Sequence, residues 1–179
     1  MTRKGIETTK DDASASRMER SGEPGTYASP PCFMHELDPS HFGQMSSSEM
    51  LTLLNSLLEA ERAGARGVGE ISKRATSAES HSLLQSVAKD EATFCAMLTR
   101  HIVRLGGVPS TRTGAFYEKL AAADPGRAQL DLLNRGQGWV VRELRKALPK
   151  VGDEHLHKDL TEMLQVHQRN IEQCDSLDF

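Results

Sequence analysis

The stretch KDEATFCAML, residues 89–98, is the most informative for the fold, because it puts a carboxylate where a helical core should be apolar. Its apolar residues recur with a helical period, and that period places Glu91 on the side expected to be buried. Phe94 follows one turn later on the same side. A buried carboxylate without a partner costs several kcal/mol, so the rest of the chain has to compensate Glu91.

Composition excludes several classes of function. The 179 residues suffice for one domain with a core. A net charge of −3 and a pI near 6.2 give no electrostatic reason to expect nucleic acid or an anionic membrane as a partner. No apolar run is long enough to span a bilayer, and the N-terminus lacks the apolar segment of a secretory signal. Three cysteines without zinc-type spacing favour a reducing, cytoplasmic location.

The chain divides into an N-terminal arm, residues 1–45, and a helical domain, residues 46–179. The arm is rich in Ser, Thr, Gly, Pro and charge, so most of it is predicted to be disordered. One island within it, PPCFMHELDPSHFG at residues 30–43, carries apolar residues and is predicted to dock on the domain. Its Cys, His and acidic residues match no closed metal-site spacing.

The domain has the pattern of four amphipathic helices and no competing strand pattern. The first begins at Ser47 or Ser48 as N-cap, the second near Ala78, the third after DPG (124–126) and the fourth at about Asp153. Short connections make helices one and two, and three and four, antiparallel hairpins. The longer crossover between helices two and three contains a short amphipathic helix, GAFYEKLAA (114–122). The predicted fold is therefore all-α, an antiparallel four-helix bundle.

Each of the four apolar stripes is interrupted once, near the helix midpoint, by a polar residue. These residues are Glu61, Glu91, Gln137 and His167. Since helix midpoints lie at similar heights in an antiparallel bundle, we expect the four side chains to converge on one polar layer. Two carboxylates, an imidazole and an amide carbonyl are ligands that could hold one Fe, Mn or Zn ion, and the set does not select among these metals.

The first two helices carry motifs of a known family. LNSLLEAERAGA (54–65) and DEATFCAMLTRHIVRLGGVP (90–109) resemble the first two helices of bacterioferritin. The chain is therefore similar to the ferritin-like superfamily, which implies a ferritin-like bundle with metal ligands at Glu61 and Glu91. With LNRGQGWVVREL (133–144) and the pattern HxDLxxMLxxHxxNI (157–171), the block 47–175 most resembles a bacterial family of ferritin-like domains without an assigned activity.

The chain departs from the di-iron pattern of that superfamily, which implies two E-x-x-H motifs and two further glutamates. Phe94 occupies the histidine position of the first motif, and Leu164 the glutamate position of the second. Helix three offers Gln137, or Asn134 one turn earlier, where a glutamate is implied. A standard di-iron oxidase centre is therefore not expected.

Three interpretations of the polar layer stay open at this point. The layer could be inert, satisfied by water and by an arginine reaching inward, such as Arg62 or Arg142. It could hold one metal ion, and the sequence is equally consistent with a layer that binds no ion. It could also line a small-molecule pocket. The first interpretation describes a structural or interaction domain, whose protein partner the sequence does not identify.

Small residues in two helices indicate close packing. ERAGARGVG (61–69) and NRGQGWVV (134–141) contain interior glycines, each costing about 1 kcal/mol relative to Ala in a helix. Such faces allow close approach of a neighbouring helix, leave space for a ligand, or form a homodimer seam. The single tryptophan, Trp139, is predicted to anchor a core or an interface, and His101 to be a helix-end cap or surface residue.

Overall fold

Five α-helices form the domain. The computed structural model describes residues 43–177, in which every regular element is helical. The helices are α1 (Ser47–Ser72), α2 (Ala78–Arg104), α3 (Phe116–Ala122), α4 (Arg127–Ala147) and α5 (Glu154–Asp175), with a 3-10 turn at Leu148–Lys150. The all-α prediction is confirmed. The predicted arm lies outside the described residues, apart from its last three positions.

No helix within residues 43–177 combines the length and the apolar character that a membrane crossing requires. The four long helices are amphipathic instead, and each buries one face in the bundle.

Side-chain caps set the helix starts. Ser46, rather than Ser47 or Ser48, caps α1: the Glu49 amide donates to Ser46 Oγ at 3.3 Å, and the Ser46 amide donates to Glu49 Oε2 at 2.9 Å. This reciprocal capping box satisfies two amides that an uncapped helix leaves without partners. Asp153 caps α5 through its side chain, which accepts from the Leu156 amide at 2.8 Å.

The helices are arranged as two antiparallel hairpins, α1–α2 and α4–α5. Two contacts between α2 and α5 show that these helices also run antiparallel. Arg104 near the end of α2 donates to Asp153 at the start of α5 at 2.6 Å, and Asn170 near the end of α5 donates to Asp90 at 3.1 Å. The antiparallel bundle predicted from the sequence is therefore present.

His101 is a buried link between α2 and α5, not a cap or a surface residue as its position beside the stripe suggested. Its side chain is 7% exposed. Nε2 lies 2.7 Å from Asp159 Oδ2, and Nδ1 lies 3.1 Å from Arg104 Nη2. The α5 carboxylate supplies a partner that the sequence of α2 alone does not reveal.

The bundle core consists of two apolar clusters, one toward each end. Each long helix contributes to both clusters. The first contains Met50, Leu54, Leu57, Leu58, Phe94, Met97, Leu98, Ile102, Val140, Leu144, Leu156, Leu160 and Met163. The second contains Val68, Ile71, Leu84, Val87, Leu120, Leu130, Leu133, Cys174 and Leu177. Along each long helix, the residues between the two clusters include the one that the sequence marked as a polar interruption.

The short helix α3 packs on glycines of α1 and α4. A Cβ at Gly67 would collide with the Leu120 side chain, and a Cβ at Gly136 would lie 2.6 Å from the Phe116 ring. Gly64 is equally crowded, because the Glu91 carboxyl group occupies the space of its missing Cβ. These three glycines therefore serve close packing within the chain. A homodimer through the remaining small residues stays a prediction.

Candidate functional site

Glu61, Glu91, Gln137 and His167 line one cavity of about 140 Å³ in the middle of the bundle. One long helix supplies each residue. All four are buried: their exposed fractions are 0% for Glu61, 3% for Glu91 and Gln137, and 1% for His167. The structure thus brings together the four polar interruptions in a single layer between the two apolar clusters.

The layer contains an unusual number of polar atoms without a hydrogen bond. Both carboxyl oxygens of Glu61, both amide atoms of Gln137 and both ring nitrogens of His167 have no partner with hydrogen-bond geometry. His167 Nε2 lies 3.2 Å from Glu61 Oε1. That distance is within ion-pair range, but the angles do not make a hydrogen bond, so we treat the pair as a close approach only.

Burial changes the protonation of all three titratable groups. Desolvation raises the pKa of Glu61 to about 8, although its interaction with the Glu91 carboxyl group opposes the rise. Desolvation also raises the pKa of Glu91 well above its ordinary value, and the negative charge of Glu61 adds to the effect. The pKa of His167 is lowered, chiefly by burial. Without a bound cation, the layer is therefore mostly uncharged near neutral pH.

Phe94 supports His167 from the neighbouring cluster. The centroids of the two rings lie 5.5 Å apart with an interplanar angle of 35°. Phe94 is 6% exposed. The phenylalanine that stands one turn after Glu91 therefore fills the space beside the imidazole with hydrocarbon and adds no ligand.

Three further candidates from the sequence lie away from the cavity. Arg62 donates from Nη1 to the backbone oxygen of Ser110, so it links α1 to the crossover. Arg142 is exposed on α4. Asn134 donates to Asp175 Oδ1 at 2.7 Å, near the C-terminal end of α5. Neither arginine therefore supplies the inward charge that an inert layer was expected to use.

The side chains of the layer are of types that bind metal ions, although they are not arranged around a common point. Within residues 43–177, no three His, Cys, Asp or Glu side chains are already positioned around one ion. The unpartnered atoms nevertheless include carboxyl oxygens, an amide oxygen and imidazole nitrogens, the ligand types that Fe, Mn and Zn accept. Gln137 would add an amide oxygen to the ligands that His and Glu provide.

The sequence did not identify the apolar wall of the cavity. Phe116, Leu133, Trp139 and Val140 line it together with small residues of α1 and α4. Phe116 reaches the cavity only because α3 lies across the glycine faces of α1 and α4. In the sequence, the signal for this wall was Gly136 beside Gln137. An interior glycine there indicated either close approach of another helix to α4 or space for a ligand.

Comparisons with known proteins agree with this architecture. The family model of a domain of unknown function (DUF6306) matches residues 48–176. A solved structure of a ferritin-like, diiron-carboxylate protein from Bacillus anthracis str. Ames is similar to the chain, with a TM-score of 0.65 and 19% sequence identity. The match covers 73% of this chain and 97% of that one. A search of curated proteins gives no match. The structural likeness establishes the ferritin-like fold.

Proposed function

The chain belongs to the DUF6306 family of domains of unknown function, and from this premise we propose that its mid-bundle layer binds a single transition-metal ion. The observation that carries the proposal is a pair of fully buried carboxyl groups beside an imidazole and an amide, whose polar atoms largely lack partners. Of the residues that the structure describes, no Arg or Lys lines the cavity. A divalent cation would compensate both carboxylates, which is the usual reason for burying them together.

Glu61 and Glu91 would supply carboxylate oxygens, His167 an imidazole nitrogen and Gln137 its amide oxygen. Carboxylate and imidazole ligands suit Fe, Mn or Zn without selecting one of them. A bound ion would supply Lewis-acid chemistry or, with Fe or Mn, one-electron redox chemistry. The surrounding residues bury the ligands, which favours a binding or redox-accessory role for the domain.

The surroundings of the layer favour one ion over two. Phe94 packs against His167 where the first E-x-x-H motif would place a second imidazole. Leu164 packs on the apolar cluster where the second motif would place a glutamate. A di-iron oxidase activity is therefore disfavoured. Anaerobic addition of Fe(II) followed by oxygen should give no absorbance from an oxo-bridged product.

A structural or interaction domain is the second candidate, and one observation favours it. The raised pKa values of the two carboxyl groups favour their protonated, uncharged forms, which need no cation. Such a layer could fix the register of the helices without further chemistry. The two candidates differ in what purified protein should contain.

Metal content separates these candidates. Protein purified without a histidine tag from metal-replete cells should contain about one equivalent of a transition metal, and His167→Ala should abolish it because binding needs the neutral imidazole. His101→Ala is the matched control, since His101 is also buried but lies outside the layer. Wild-type protein that contains less than about a tenth of an equivalent of metal would contradict the proposal and favour the structural or interaction domain.

A further inference from the structure

Among residues 43–177, nothing covers the mid-bundle cavity along one side. Its polar end is formed by the buried layer, whereas Ala60, Phe116, Gly136 and Trp139 are only partly covered and form the mouth. Trp139 is 37% exposed, although it was predicted to anchor a core or an interface. A molecule from solvent can therefore reach the polar layer by passing between α1, α3 and α4.

The size and the walls of the cavity favour an organic ligand about as large as one six-membered ring. The cavity measures about 140 Å³, and apolar cavities of roughly 150 Å³ are known to accept one benzene. Phe116, Leu133, Trp139 and Val140 provide apolar walls. Pockets with mostly apolar walls and a few convergent polar groups are typical of small-molecule sites.

Gln137 marks where the polar end of such a ligand would lie. Gln137 lines the cavity and is 3% exposed, and neither of its amide atoms has a hydrogen-bond partner. A buried amide left unpaired is unfavourable, and a ligand that pairs with it would recover that free energy. A hydroxyl group can donate to Oε1 or accept from Nε2, and a carbonyl group can accept from Nε2.

The charges around the cavity favour an uncharged ligand. Among residues 43–177, no Arg or Lys lines it, and its two carboxyl groups are uncharged near neutral pH without a cation, so an anion would find no compensating charge. The apolar walls disfavour any ion that has to leave water to enter. A cation could pair with the carboxyl groups, and it is therefore the competing ligand class that an experiment must exclude.

We propose that this cavity binds an uncharged, ring-sized organic molecule with one hydroxyl or carbonyl group, its body against Phe116 and Trp139 and its oxygen at Gln137. The site shares the polar layer with the proposed metal site but does not require the ion. The proposal can therefore hold or fail independently of metal binding.

Trp139 provides the measurement, because it is the only tryptophan in the chain and lines the mouth. The full chain, treated with a chelator, would be titrated with cyclohexanol while tryptophan fluorescence is recorded. Cyclohexylammonium and cyclohexanecarboxylate, which share the ring, serve as the charged counterparts. We expect a saturable response to cyclohexanol, with both charged compounds at least about tenfold weaker, or about 1.4 kcal/mol.

Two variants test whether the response comes from the cavity. Ala60→Leu fills the mouth and should abolish the saturable response, whereas Ala65→Leu makes the same change on α1 away from the cavity lining and should not. Gln137→Leu removes the amide and should weaken cyclohexanol binding about tenfold, as expected for a buried hydrogen bond. Circular dichroism would verify that each variant is folded.

Three results would overturn the proposal. The first is no saturable response of the folded wild-type protein to cyclohexanol. The second is an equal response in the Ala60 and Ala65 variants, or an unchanged affinity in the Gln137 variant. The third is tightest binding of cyclohexylammonium, which would make the ligand class cationic. None of these results bears on metal content, because the chelator removes the ion from the assay.

Discussion

Glu61 carries a carboxyl group into the interior of the bundle. It is fully buried, its carboxyl oxygens have no hydrogen-bond geometry with His167, and its pKa rises to about 8. Folding therefore requires Glu61 to take up a proton at neutral pH when no cation is bound. The same applies to Glu91, whose pKa is raised further by the negative charge of Glu61.

This protonation predicts how stability depends on pH. A carboxyl group whose pKa is raised by folding gives its full stability below the unfolded pKa and loses it as the pH rises toward the folded pKa. Metal-free protein should therefore lose several kcal/mol of unfolding free energy between about pH 5 and about pH 8. Glu61→Gln with Glu91→Gln should remove most of this slope and be equally or more stable at neutral pH.

Urea denaturation at several pH values would measure the effect. Glu162→Gln with Glu172→Gln is the control, since both residues are exposed on α5, and it should follow the wild type. If the buried double variant instead loses several kcal/mol at neutral pH, the carboxyl groups stabilise the apo fold and the account of the layer is wrong.

The sequence could locate these residues because a helical stripe is periodic. Glu61, Glu91 and His167 were each found where the period placed a core position, and the structure buries all three. The sequence could not find the partners of His101, because Asp159 belongs to another helix and only the packed bundle brings the two together.

Among the elements, α3 and the two helices beneath it show how glycine permits close packing. Gly136→Ala would put a methyl group 2.6 Å from the Phe116 ring, so we expect a loss of about 1–3 kcal/mol in unfolding free energy. Gly69→Ala on α1 is the matched control: its Cβ would meet nothing within 4 Å, and the variant should gain roughly 0.5–1 kcal/mol. Thermal unfolding of both variants would compare them. Equal stability would contradict the packing of α3 described above.

The start of α5 depends on Asp153, which both caps the helix and pairs with Arg104. Asp153→Ala removes both interactions and should cost about 1 kcal/mol or more, while Asp153→Asn keeps the cap and should cost less. The pKa of Asp153 is lowered, first by the Arg104 hydrogen bond. Its stabilising charge is therefore present above the ordinary Asp pKa and is lost as the pH falls through the folded pKa.

Urea denaturation of the Asn variant at falling pH would measure this contribution. The difference between Asp153→Asn and the wild type should shrink in acid, because the wild-type side chain then also loses its charge. A difference that stays constant from neutral to acidic pH would show that the ion pair with Arg104 adds no stability.

Helix positions were easier to predict than helix ends or lateral packing. The sequence placed all four long helices and the short one in the crossover, since each has an amphipathic pattern. The α1 cap was off by one or two residues because three consecutive serines can all cap, and only the contact with Glu49 distinguishes Ser46. The cavity wall needed Phe116, whose position depends on how the crossover folds back.

At the scale of the whole molecule, the polar layer divides the core into two apolar clusters. An ion in this layer would bridge all four long helices, so binding should stabilise the entire bundle. Mn²⁺ or Zn²⁺ at about a hundredfold excess over Kd should add about 2.7 kcal/mol to the unfolding free energy. His167→Ala should remove this gain and His101→Ala should keep it, as measured by thermal unfolding with and without metal. An equal gain in both variants would place the ion elsewhere.

The most direct test of the central claim is a crystal structure of metal-replete protein with an anomalous scan across the absorption edges of Fe, Mn and Zn. If the layer binds one metal ion, the map should show one anomalous peak in the mid-bundle layer, within bonding distance of Glu61, Glu91 and His167. A layer without a peak in protein loaded with these metals, or two peaks bridged by the carboxylates, would contradict it.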